Sequence, residues 1–140
     1  MRVSIRFTAA VHTLLCIARF SDETKVTSEF ISESTGVNAV IIRKTLRQLQ
    51  DAGLVRTVLG MGGSYLEKAP KSITLLDVYK AINKNDDKSI FDFHPAPSKK
   101  CPVGKNIHKV LDPCLEAAEA AMEKELNKKK LSDLLKQLSE

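Results

Sequence analysis

No segment of the 140-residue sequence has the uninterrupted apolar length of a membrane-spanning helix, about 20 residues. The N-terminal stretch MRVSIRFTAAVHTLLCIARF is basic and then apolar. His12 and Arg19 interrupt it and no small-residue cleavage site follows, so it reads as the first amphipathic helix of a cytoplasmic protein, not as a secretory signal. Cysteine is scarce. Cys16, Cys101 and Cys114 are odd in number and scattered, which excludes a disulfide framework and fits reduced thiols. Catalytic constellations are missing too: there is no phosphate loop, no histidine pair with a carboxylate, and no nucleophile elbow. The glycine cluster at 60–63, GMGG, is a turn. The chain is therefore not expected to be an enzyme, and no cofactor is expected. One local absence stands out. No acid interrupts the stretch from Val37 to Gln50, which carries Arg43, Lys44 and Arg47.

What is present suits one domain with an extension. Apolar residues make up 43% and charged residues 28%, enough for a core without covalent staples. Net charge is +5 and the pI about 9.2, which permits an anionic partner without requiring one.

Apolar residues from Arg6 to Phe20 follow a helical stripe. Thr27 is placed as the N-cap of a short second helix over 28–35, with Gly36 near its end. Asn38 caps a third helix running through Asp51, with Ile42, Leu46 and Leu49 on one face and Gly53 as its stop. LVRTVL and YLEK then read as two strands around a glycine-rich turn. Ser72 precedes a fourth helix, ITLLDVYKAI. Residues 83–100 are irregular. Helical signals return at 103 with the stripe Ile107, Val110, Leu111, Cys114, Ala118 and Ala121. Asp112-Pro113 predicts either a kink or a new helix with Asp112 as its cap. A break is expected near Asn127, with a last helix from about Lys129. The fold class is thus mostly α with a small β-hairpin: a winged helix-turn-helix head over 1–84, a connecting segment over 85–102, and a helical dimerisation region over 103–140.

That element order suits duplex DNA, whose major groove admits a helix while the preceding helix crosses the backbone. The third helix is the candidate reader. Asn38, Ala39 and Val40 stand at its entering end. Arg43 and Lys44 are expected to touch DNA and Arg47 to meet the backbone, since an arginine fork suits a guanine edge and a lysine a phosphate. Val40 and Ile41 fit either a thymine methyl or packing onto the second helix. The alternative for all three cations is a solvated helix face.

The stretch GVNAVIIRKTLRQLQDAGLVRTVLGMGGSYLEKAPKSITLLDVYKAI resembles the small bacterial winged-helix regulators of the iron–sulfur cluster regulator family, a group that includes cysteine-metabolism and nitrite-responsive repressors. The resemblance is strongest at AGLV (52–55), the glycine wing before Tyr65 and ITLLDVYKAI (73–82); the tail CPVGKNIHKVLDPCLEAAEAAMEKEL adds to it. It implies a homodimer, joined by the long helix, that meets a palindromic operator in double-stranded DNA. By that resemblance Arg2 and Ser4, Thr27 and Ser28, the reader residues Asn38, Val40, Ile41 and Lys44, and the wing residues Met61, Gly62, Gly63 and Ser64 contact DNA. Two departures bear on the site. Gly62 replaces a basic residue before the wing's glycine pair, which weakens a minor-groove contact. Arg43 replaces an acid that accepts from cytosine in many family sites; it can only donate, so guanine or phosphate becomes its partner.

Cluster-binding members carry three closely spaced cysteines before the long helix. Here Cys101 stands at the second place, Ile107 at the third, and nothing from Asn83 to Lys100 supplies the first, so no cluster is expected. Cys101 is a redox-sensing candidate because Lys99, Lys100 and Lys105 favour its thiolate; an ordinary loop or capping cysteine is the alternative. The signal, small-molecule or redox, is left open. The rival to DNA reading is a winged-helix protein-interaction module.

Overall fold

The computed structural model describes residues 5–58, 62–84 and 90–138. Among the described residues six α-helices and a two-stranded hairpin follow in chain order: α1 (Ile5–Phe20), α2 (Ser28–Thr35), α3 (Ala39–Asp51), β1 (Val55–Thr57), β2 (Ser64–Leu66), α4 (Leu75–Ile82), α5 (Pro102–Lys128) and α6 (Leu131–Leu138).

Short polar signals set most of the boundaries. The Thr27 side chain accepts from the amide of Phe30, and Gly36 ends α2 at φ 74°, a left-handed conformation that a side chain would strain. The Asn38 side chain accepts from the amide of Val40 at 2.7 Å and opens α3. The fourth helix starts later than Ser72. Residues 70–72 form a 3-10 turn, Ile73 is extended, and Thr74 makes a reciprocal capping box with Asp77. Two orphan amides are satisfied at Thr74, which a cap at Ser72 would not achieve.

The strands are shorter than the patterned runs that announced them. β1 and β2 pair antiparallel, with Val55 opposite Leu66, Arg56 opposite Tyr65 and Thr57 opposite Ser64.

Ala10, Leu14 and Ile17 of α1, Ile31 of α2, and Ile42, Leu46 and Leu49 of α3 share one core with Leu54, Val55, Ile73, Val78 and Ile82. Burying each such leucine or isoleucine is worth about 1.5–3 kcal/mol, so this cluster fixes how α2 and α3 are held. Leu131 of α6 joins the same core at 1% exposure. Backbone bonds clamp it there: the Leu131 amide donates to the Ile73 carbonyl and the Leu75 amide to the Lys129 carbonyl, both at 2.9 Å. The chain after the connecting segment therefore returns to the head.

Asp112-Pro113 neither ends nor restarts a helix, for α5 runs through it. Proline forfeits one amide, and the helix-forming run LEAAEAAMEKEL beyond it carries the helix on. Asp112 faces the His108 ring at 3.1 Å instead of capping. No residue of α5 is buried, although the helix has 27 residues and is about 40 Å long. Val103 and Val110 are 70% and 68% exposed. Ile90 of the connecting segment is buried, and its amide reaches the Glu119 carboxylate at 3.4 Å.

Candidate nucleic-acid interface

The third helix is sharply divided. Ile42, Thr45, Leu46 and Leu49 are buried, and Thr45 returns its hydroxyl to the Ile41 carbonyl at 2.9 Å, so its polarity is spent inside the helix. The other face presents Asn38, Val40, Ile41, Arg43, Lys44 and Arg47, all exposed. Val40 is 64% and Ile41 45% exposed. Neither side chain is buried against the second helix in the free chain. Apolar side chains held out beside cations suit a surface with both methyl groups and acceptors, such as a major-groove floor. Lys44 and Arg47 form no ion pair among the described residues.

Arg43 differs from its two neighbours. Its Nη1 lies 3.4 Å from Glu29 Oε1 and 3.4 Å from Ser28 Oγ, both on the first turn of α2. Glu29 was not legible as part of this surface. It is fourteen residues away in sequence, and only the turn at Gly36 brings the two helices together. Thr27 and Ser28 are half-buried at the same helix start, Thr27 occupied as the cap and Ser28 donating to Glu29 Oε2 at 3.1 Å.

The wing residues are placed unlike those of the reader helix. Gly63 and Ser64, expected at the DNA, are buried. The Ser64 amide donates to the Val26 carbonyl at 3.0 Å, and a Cβ on Gly63 would come within 2.5 Å of the Val26 amide nitrogen. These two positions dock the hairpin against the loop before α2, and Gly63 is there because the backbones approach so closely. Gly62 is half-buried beside Val58. Arg2, Ser4 and Met61 lie outside the described residues. The hairpin offers a cation that the sequence reading missed. Arg56 is exposed, with its guanidinium 4.9 Å from the centre of the Tyr65 ring. Strand alternation from buried Val55 was the available signal.

The thiols are far apart in character. Cys16 is buried, whereas Cys101 and Cys114 are exposed. Cys101 immediately precedes α5, where the amides of Gly104 and then Val103 hold its thiol below the ordinary value. Above its pKa the thiol is thiolate, so a lowered pKa means more nucleophile near neutrality. Cys101 should thus alkylate faster than Cys114 at pH 7, on a rate profile centred below the ordinary value of about 8.5. Peptide mapping by mass spectrometry after timed iodoacetamide pulses reads both sites; equal rates would contradict this.

The family model of Rrf2, described as iron-dependent transcriptional regulator, matches residues 3–137. The "Putative HTH-type transcriptional regulator YwnA" of Bacillus subtilis is 37% identical over 136 residues, covering 97% of this chain and 98% of that protein. A crystal structure of a "putative DNA binding protein" is 35% identical, covers 93% of this chain and 98% of its own, and superposes with a TM-score of 0.73. IscR of T. potens, at 22% identity, shares the fold, with a TM-score of 0.72 over 99% of this chain and 89% of its own.

The donor set of the described residues does not fit a resident iron ion or cluster. No three His, Cys, Asp or Glu side chains converge among the described residues. Cys101 and Cys114 are separated by about 20 Å along α5, too far to share one ion, and Cys16 is inside the head.

Proposed function

The chain belongs to the Rrf2 family, transcriptional regulators rather than enzymes, and from that premise we propose that it is a cytoplasmic homodimeric repressor whose two reader helices meet the half-sites of a palindromic operator. The observation that carries this is the outer face of α3: Val40, Ile41, Arg43, Lys44 and Arg47 exposed together on a helix whose opposite face is buried in the core. No helix among the described residues is long and apolar enough to cross a membrane. Residues 1–84 are the DNA-binding unit, 85–102 the connection and 103–140 the dimerisation region. Within the last, Leu131 doubles as a core residue of the head.

The roles at the surface divide by chemistry. Asn38, Val40, Ile41 and Arg43 face bases. Lys44, Arg47 and Arg56 face phosphates, with Thr27, Ser28 and Gly62 flanking them; Arg2, Ser4 and Met61 are kept as DNA contacts on the family resemblance alone. Cys101 is the candidate redox sensor.

Fluorescence anisotropy over a salt series tests the assignment. Lys44→Ala should weaken operator and scrambled duplex by similar factors and flatten the salt slope by about one. Arg43→Ala should weaken the operator more, by about 1–3 kcal/mol if its fork meets a guanine edge. Equal melting temperatures must come first, because partial unfolding would mimic both losses. If both variants bind operator like the parent at every salt concentration, α3 is not the reader. Binding to a protein partner that resists salt, with no duplex bound, would favour the interaction-module reading.

A further inference from the structure

A carboxylate on a DNA-facing surface works against phosphate binding. Glu29 is nevertheless on the surface that carries the cations of α3, with its side chain 71% exposed and that of Arg43 54% exposed. An ion pair so open to solvent adds little to stability. It does constrain geometry. Glu29 is held on one side by Ser28, which donates to Oε2, and on the other by Arg43 Nη1 at Oε1. Its own backbone amide, Ser28 and Arg43 all hold the carboxyl below its ordinary pKa, so the anion persists.

A guanidinium carries five N–H donors in a planar fork. Here Nη1 is taken by Glu29 and Ser28, while Nε and Nη2 have no acceptor among the described residues. Guanine presents O6 and N7, which two adjacent donors of one fork can meet together. An untethered arginine can instead swing to a phosphate, where it carries no sequence information.

We propose that Glu29 is a positioning residue for base reading: it holds the Arg43 guanidinium by Nη1 so that the Nε and Nη2 edge is offered to a guanine, and keeps Arg43 off the phosphates. The proposal rests on the operator-binding reading above and deepens it. Glu29 touches no base. It trades affinity for duplex in general against discrimination among sequences.

The test begins by selecting an operator from random duplexes with the full-length parent. Anisotropy then gives Kd for operator and scrambled DNA with the parent, Glu29→Ala, Glu29→Gln, Arg43→Ala and the Glu29→Ala/Arg43→Ala double variant, each first shown to melt like the parent. Glu29→Ala should bind scrambled DNA about two- to threefold more tightly, because a charge opposing phosphate is gone. Its operator-to-scrambled ratio should fall about three- to fivefold, the scale of one exposed ion pair. Glu29→Gln, which keeps the shape but not the charge, should lie between. In the Arg43→Ala background, removing Glu29 should leave the ratio unchanged. The proposal is overturned if Glu29→Ala and Glu29→Gln keep the parental ratio, or if the ratio falls equally without Arg43. A parent that enriches no sequence is a different result, one that removes the operator reading itself and this inference with it.

Discussion

Val110→Asp should turn the proposed dimer into a monomer and abolish tight operator binding while leaving the head folded. Val110 is 68% exposed on a helix with no buried residue, so an aspartate there meets water in the isolated chain and costs the head nothing. In a two-fold dimer the same surface faces its own copy, and two carboxylates would be desolvated together. Losing the second half-site removes the avidity of paired heads, about 10²–10⁴ in affinity. Sedimentation at micromolar protein and anisotropy on a two-half-site duplex should fail together, with far-UV circular dichroism unchanged. A variant that remains dimeric would show that the open face of α5 is not the joint. A monomer that still binds operator like the parent would sink the two-half-site model.

Leu131→Ala should destabilise the whole molecule by about 2–5 kcal/mol, the range for emptying a leucine site in a closed core. Leu131 is 1% exposed and belongs to one cluster with Leu14, Ile42 and Val78. Leu138→Ala, seven residues on and 54% exposed, is the control and should change stability by less than about 0.5 kcal/mol. Urea unfolding at one fixed protomer concentration is the measurement, because stability in a dimer depends on concentration. If the two leucines cost the same small amount, the tail does not share the core of the head, and α6 is an appendage.

Local chemistry was legible from the sequence wherever a nearest neighbour decides the outcome. Thr27 and Asn38 mark helix starts because a cap side chain accepts from an amide two or three residues on, Gly36 marks an end because its amide donates back to the Ser32 carbonyl, and α2 spans 28–35 as its signals imply. The 3.6-residue spacing of Ile42, Leu46 and Leu49 set the buried face of α3, and by subtraction its exposed one. The order of elements and the motifs at 52–55 and 73–82 were enough for the family resemblance that residues 3–137 now match.

What local signals could not decide turned on distant contacts. Ser64 reads as an exposed wing residue until Val26 is found against it, thirty-eight positions earlier. Ser72 and Thr74 are both plausible caps, and the choice fell to Thr74, where Asp77 completes the capping box and Lys129 accepts from the Leu75 amide. Pro113 reads as either a kink or a new helix start because one missing amide is a local cost, and the continuous helix on both sides of it removes the new start. Glu29 and Arg43 are unrelated in sequence and meet only because the α2–α3 turn folds them together. Hydrogen bonds to near neighbours and apolar spacing are written along the chain; pairings between residues far apart in it exist only once the core has closed.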